Sequence, residues 1–166
     1  MTAAGEEGGK PDFRLWAIPV SVGCALLMDL MDSAALATAL PTIADDFGRS
    51  SADMRLALTA YMMTVAVLVP LSGWATARFG AKRLFLTAMV TFLAGSTCCA
   101  ISSSFEQMVV ARILQGCGGA LMTPVGRSII VSIAPRNRLV HAMGWFTLPV
   151  VLGPLLGPPL AGVLNQ

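Results

Sequence analysis

Residues 15–40 read LWAIPVSVGCALLMDLMDSAALATAL. Apart from Asp29 and Asp32 the run is apolar or small on all sides, and it does not alternate. At ~1.5 Å rise per residue, about twenty such residues in a helix cross the ~30 Å hydrocarbon layer of a bilayer. A strand is disfavoured because a period of two is missing. In lipid a helix satisfies its own backbone groups segment by segment. The stretch therefore predicts a membrane-spanning helix. The whole chain agrees: of its 166 residues 55% are hydrophobic and only 12% charged, against roughly 25% charged in a soluble domain. Mean hydropathy is +0.74. These figures exclude a disordered chain, a coiled coil and a disulfide scaffold, and so few charges cannot coat a soluble globule of this size. A net charge of +2 gives no reason to expect nucleic acid as a partner.

Four further apolar segments follow, at about 56–76, 84–103, 108–133 and 140–164. Sixteen of the twenty charged residues lie outside them, in the first fourteen residues, at Asp45–Arg55, at Arg78, Lys82 and Arg83, at Glu106, and at Arg136 and Arg138. The expected fold is an all-α polytopic membrane protein of five transmembrane helices behind a cytoplasmic tail, residues 1–14. With the N-terminus in the cytoplasm, seven Lys and Arg residues fall in inner connectors and two, Arg49 and Arg55, in outer ones. That is a positive-inside distribution. Residues 1–14 do not read as a signal peptide, because their charge is mixed and the apolar run beyond them is too long and carries acids.

Asp29 and Asp32 lie three residues apart and share a helix face. A carboxylate in mid-membrane costs at least ~2.5 kcal/mol on insertion scales and faces a wet cavity or a partner. The alternative is a first helix that begins later and leaves both acids among headgroups. Arg112 is the natural counter-charge. At the standard rise it stands ~9 Å above the midpoint of the fourth segment, and Asp32 ~6 Å above that of the first. The expectation is a contact of Arg112 with Asp32, or with Asp29, in a cavity whose acid exchanges protons; a static ion pair is the bland alternative. Gln115 shares the Arg112 face. Gly116, Gly119 and Ala120 offer a small-residue stripe for helix packing.

Gly73 and Gly80 bracket a cationic turn with Arg78, Lys82 and Arg83. Gly73 suits close helix contact and Gly80 a tight turn with positive φ. In the fifth segment Gly153, Pro154 and Gly157 sit among further prolines, which predicts a kinked helix, either a pivot or merely structural. Cys24, Cys98, Cys99 and Cys117 read as buried free thiols. Cys98 and Cys99 point to different faces and make no metal site. His141 reads as a residue among headgroups. No nucleophile–base pair, phosphate loop or metal cluster stands out, so neither an enzyme nor a cofactor is expected.

Together these stretches resemble the major facilitator superfamily, most closely its fourteen-span drug:proton antiporter branch and the bacterial multidrug-resistance exporters in it. Residues 31–44, MDSAALATALPTIA, look like that branch's Asp-to-Leu-Pro signature. The Gly73–Arg83 turn looks like the superfamily's loop between helices 2 and 3, Arg112–Ala120 like its helix-4 motif, and Gly153-Pro154-x-x-Gly157 like the antiporter motif of helix 5. The resemblance implies a partial N-terminal bundle over residues 15–166 and a bacterial inner-membrane location. It implies proton-coupled export of amphipathic small molecules, with Asp29, Asp32, Arg112 and Gln115 at the coupling cavity. It also implies a gating loop of Gly73, Arg78, Gly80, Lys82 and Arg83. The partners are then the lipid bilayer, protons, the transported molecule and a separate C-terminal half.

Three departures bear on this. Ala77 holds the position of the loop motif's acid, which in the family helps latch the cytoplasmic side, so Arg127 loses that partner. Pro149 and Pro158 stand where the family has glycine. Five helices stop one short of a six-helix bundle, which leads to the expectation of a truncated or fragmentary chain. Competing expectations are a transport-incompetent remnant or small membrane interaction protein, and a proton-linked nutrient importer.

Overall fold

The computed structural model describes residues 13–148, 151 and 152. All the regular elements among them are helical. They are α1 (Phe13–Asp46), α2 (Ser51–Leu68), α3 (Ser72–Phe79), α4 (Ala81–Ala100), α5 (Phe105–Ile133) and a short α6 (Leu139–Leu148).

Ala17–Ala39, Ala81–Ala100 and Phe105–Ile133 are each long and apolar enough to cross a bilayer. The segment expected at 56–76 is broken: α2 and α3 meet at a 60° bend over Val69–Leu71, and the pair counts as one further span if taken together. Pro70 sits in this break and lacks the N–H that a continuous helix needs. Among the described residues the expected spans thus comprise three continuous helices and one bent pair, and most of the fifth expected segment lies outside them. Of the fifth segment the start, Leu139–Leu148, is a helix, and residues 151 and 152 are helical as well. Gly153, Pro154 and Gly157 lie outside the described residues.

Two boundaries also move. α1 runs through Pro41 to Asp46, and α2 already begins at Ser51, so the charged connector narrows to Phe47–Ser50. Charges can ride on helix ends where those reach the headgroups. Ser50 sets the start of α2 through a capping box. Its Oγ accepts the Asp53 N–H at 3.2 Å, and Asp53 Oδ2 accepts the Ser50 N–H at 3.3 Å. Ser104 caps α5 in the same sense, accepting the Gln107 N–H.

α5 is the hub, contacting α1, α2, α3 and α4. Its glycines explain why. A Cβ on Gly118 would stand 2.5 Å from the Ala88 carbonyl oxygen, and one on Gly95 would stand 2.6 Å from the Gln115 nitrogen, so α4 and α5 touch backbone to backbone. Gly116 faces Thr64 and Gly119 faces Tyr61, both on α2, while Gly126 receives Val22 of α1. These pairings run antiparallel along α1 and α5 and along α4 and α5. The main apolar core joins Val22, Leu26, Phe85, Phe92, Met122, Val125 and Phe146. The outward faces carry Met62, Val67, Val90, Leu93, Val110 and Ile113, all exposed. Such a surface suits acyl chains or further helices and would be a liability in water.

Candidate functional site

The site forms where α1, α4 and α5 cross. Arg112 Nη1 donates to Asp32 Oδ2 at 2.7 Å, and Gln115 Nε2 donates to the same oxygen at 2.8 Å. Ser96 Oγ donates to Asp32 Oδ1 at 3.2 Å. Arg112 and Gln115 are three residues apart and so present one face of α5 to α1. Both are buried, the Arg112 side chain to 5% exposure, and Asp32 retains 21%. Arg112 Nε is buried without a partner. One carboxylate thus receives donors from two helices, the arrangement a buried charge needs to persist.

Asp29 shares the face of Asp32 but not its partners. Its Oδ1 accepts the Tyr61 hydroxyl at 2.7 Å from α2. The two acids therefore fasten α1 to different neighbours, and of the two it is Asp32 that meets Arg112. Sequence reasoning misses Tyr61 and Ser96. Tyr61 is the chain's only tyrosine and lies in an apolar run, which is a readable signal; Ser96 carries none. Cys99 Sγ approaches Gln115 Oε1 at 4.0 Å.

The other expected residues lie apart from this cluster. Gly80 has φ +81° and joins α3 to α4, as a tight turn requires. Gly73 is exposed and a Cβ there would meet nothing within 4 Å, so it is not a close-packing glycine among the described residues. Arg78, Lys82 and Arg83 are exposed around the turn. Ala77 is exposed too, and Arg127 sits over the Phe146 ring, 5.8 Å from its centroid. None of the cysteines is buried: Cys24 and Cys98 are exposed and Cys99 and Cys117 half-buried, which corrects the expectation of core thiols. Among the described residues no group of three or more His, Cys, Asp or Glu could hold a metal.

Residues 22–166 match the sequence model of the Major Facilitator Superfamily. The chain belongs to the major facilitator superfamily. Members of this superfamily are membrane transporters, not enzymes. Among its curated relatives is the "Putative multidrug resistance protein MdtD" of Klebsiella pneumoniae, 45% identical over 93% of this chain and 32% of its own length. The protein of the same name from Salmonella dublin is 43% identical over 94% of the chain and 33% of its own. The chain spans about a third of the length of these major facilitator relatives.

Proposed function

We propose that the chain forms one wall of a proton-coupled exporter of amphipathic small molecules, with its N-terminus in the cytoplasm of a bacterial inner membrane. The observation that carries this reading is the 2.7 Å contact of Arg112 with Asp32 between two membrane-length helices. Arginine and glutamine both donate to one oxygen of the Asp32 carboxylate. Separation by a small slide of α1 against α5 leaves that charge in a medium of low dielectric, where uptake of a proton relieves it. The same slide changes how far Asp32, now 21% exposed, is open to its surroundings, so proton occupancy and access change together. The names of relatives at 43–45% identity support a drug as cargo. In folds of this kind substrate lies between two rocking halves. The opposing wall comes from further helices, such as those that the other two thirds of the relatives' length can supply.

The test expresses the chain with the C-terminal two thirds of the Klebsiella relative in cells stripped of their own exporters. Accumulation of a fluorescent amphipathic dye is followed under an imposed proton gradient. Efflux that Asp32→Asn abolishes is the expected result. Efflux indifferent to Asp32→Asn refutes the coupling role, and absence of efflux with the unmodified chain refutes the exporter.

A further inference from the structure

The turn between α3 and α4 gathers cations that no acid among the described residues balances. Arg78 ends α3, and Lys82 and Arg83 open α4. The ion pairs among the described residues are Arg49–Glu106 and Arg112–Asp32, and neither involves this turn. Ala77, also exposed beside them, brings no charge. Like charges so close together favour an anion among them.

The surroundings say which anion. Arg78 and Arg83 line one cavity of about 610 Å³ together with Phe79, Leu84 and Thr87. Its walls therefore offer two guanidinium groups together with apolar and hydroxyl-bearing surface from α3 and α4. Beside it, α3 turns 60° from α2 and presents Trp74, 66% exposed, next to Phe79, 55% exposed. Their rings meet edge to face at 6.0 Å between centroids. Trp74 and Arg78 are four residues apart and share the outward face of α3, while Ser72 and Ala75 are buried on the other. Exposed tryptophan is characteristic of the headgroup level, and arginine binds phosphate in two-pronged fashion. A basic pocket between helices at a membrane surface matches anionic lipid headgroups.

We infer that the Arg78–Arg83 cavity is a binding site for the phosphate headgroup of an anionic phospholipid, with Trp74 and Phe79 seated among the neighbouring lipids. The phosphate oxygens accept from both guanidinium groups, and the glycerol and first acyl carbons lie along Leu84 and Thr87. This site is separate from the Asp32 cluster and does not depend on transport.

Native mass spectrometry of the full chain in mild detergent tests it, with phosphatidylglycerol, phosphatidylcholine and inorganic phosphate as probes. One retained phosphatidylglycerol is expected at concentrations where phosphatidylcholine is retained at least fivefold less. Arg78→Gln with Arg83→Gln should abolish that preference, Arg78→Lys with Arg83→Lys should keep part of it, and Arg136→Gln with Arg138→Gln should leave it. Circular dichroism confirms that each variant keeps its helices; if the glutamine pair does not, each single change is read instead and must lower retention. Equal retention of the two lipids, or retention unmoved by the glutamine changes, overturns the inference. Displacement of the lipid by millimolar inorganic phosphate would overturn the lipid as occupant.

Discussion

Arg112 brings a charge that cannot be neutralised into an apolar helix, and Asp32 is what makes it tolerable. Breaking a buried pair by removing one partner leaves an uncompensated ion and costs about 3–5 kcal/mol. Arg112→Ala should therefore lower thermal stability in detergent markedly, with Asp32→Ala similar in size. The double change should cost less than the sum of the two, with a coupling of at least ~1 kcal/mol in a double-mutant cycle. Additive losses would show that the 2.7 Å contact contributes nothing. Gln115→Ala leaves Asp32 its arginine and Ser96, so a loss of about 1 kcal/mol is expected. The pairing was legible because helix rise fixes depth: two charges at matching heights on antiparallel spans have few other partners. The division of Asp29 from Asp32 was not legible. Both lie on one face, and which neighbour each meets depends on where α2 packs, which its own sequence does not state.

At the scale of the helix, α5 shows what its glycines are for. Gly118 and Gly95 stand where α4 and α5 backbones meet, so a side chain at either must push the helices apart. Gly118→Leu should abolish recovery of folded chain from detergent extracts, whereas Gly73→Ala, open on all sides, should stabilise α3 by up to about 1 kcal/mol. Gly80→Ala imposes a positive φ on a residue with a Cβ, and its loss should be about 1–3 kcal/mol. Yield of folded chain checks Gly118→Leu, and thermal unfolding beside the unchanged chain checks the other two. A small-residue stripe could be read from Gly116, Gly119 and Ala120, but not that Gly116 and Gly119 would serve α2, Gly118 α4 and Gly126 α1. The first, third and fourth segments were legible from their apolar, charge-poor lengths. The bend at Val69–Leu71 was signalled by Pro70, yet apolar composition is continuous across it, so hydropathy alone reads one straight span.

Across the whole molecule, helix connectivity sorts the connectors into two groups. Arg49 and Glu106 approach to 3.6 Å, which places the α1–α2 and α4–α5 connectors at one end. The register of α1, α4 and α5 then sends Val22, Phe85 and Gly126, with the cationic α3–α4 turn, to the other. The pair itself holds little together, because its side chains are 51% and 72% exposed and an exposed ion pair contributes at most about 1 kcal/mol. Charge placement sets orientation instead. In the orientation proposed above, the end with Arg78, Lys82, Arg83, Arg136 and Arg138 lies in the cytoplasm and the Arg49 end outside. Single cysteines at Arg49, Arg78 and Arg138, in a chain whose own four cysteines are serine, put this to a direct reading. A membrane-impermeant maleimide added to intact cells should label Arg49→Cys, and the other two only after the membrane is opened. Labelling of Arg78→Cys and Arg49→Cys from the same side would contradict the threading of α2 and α3 as one bent span. Labelling of Arg78→Cys and Arg138→Cys from outside, with Arg49→Cys protected, would keep the bundle and reverse its orientation.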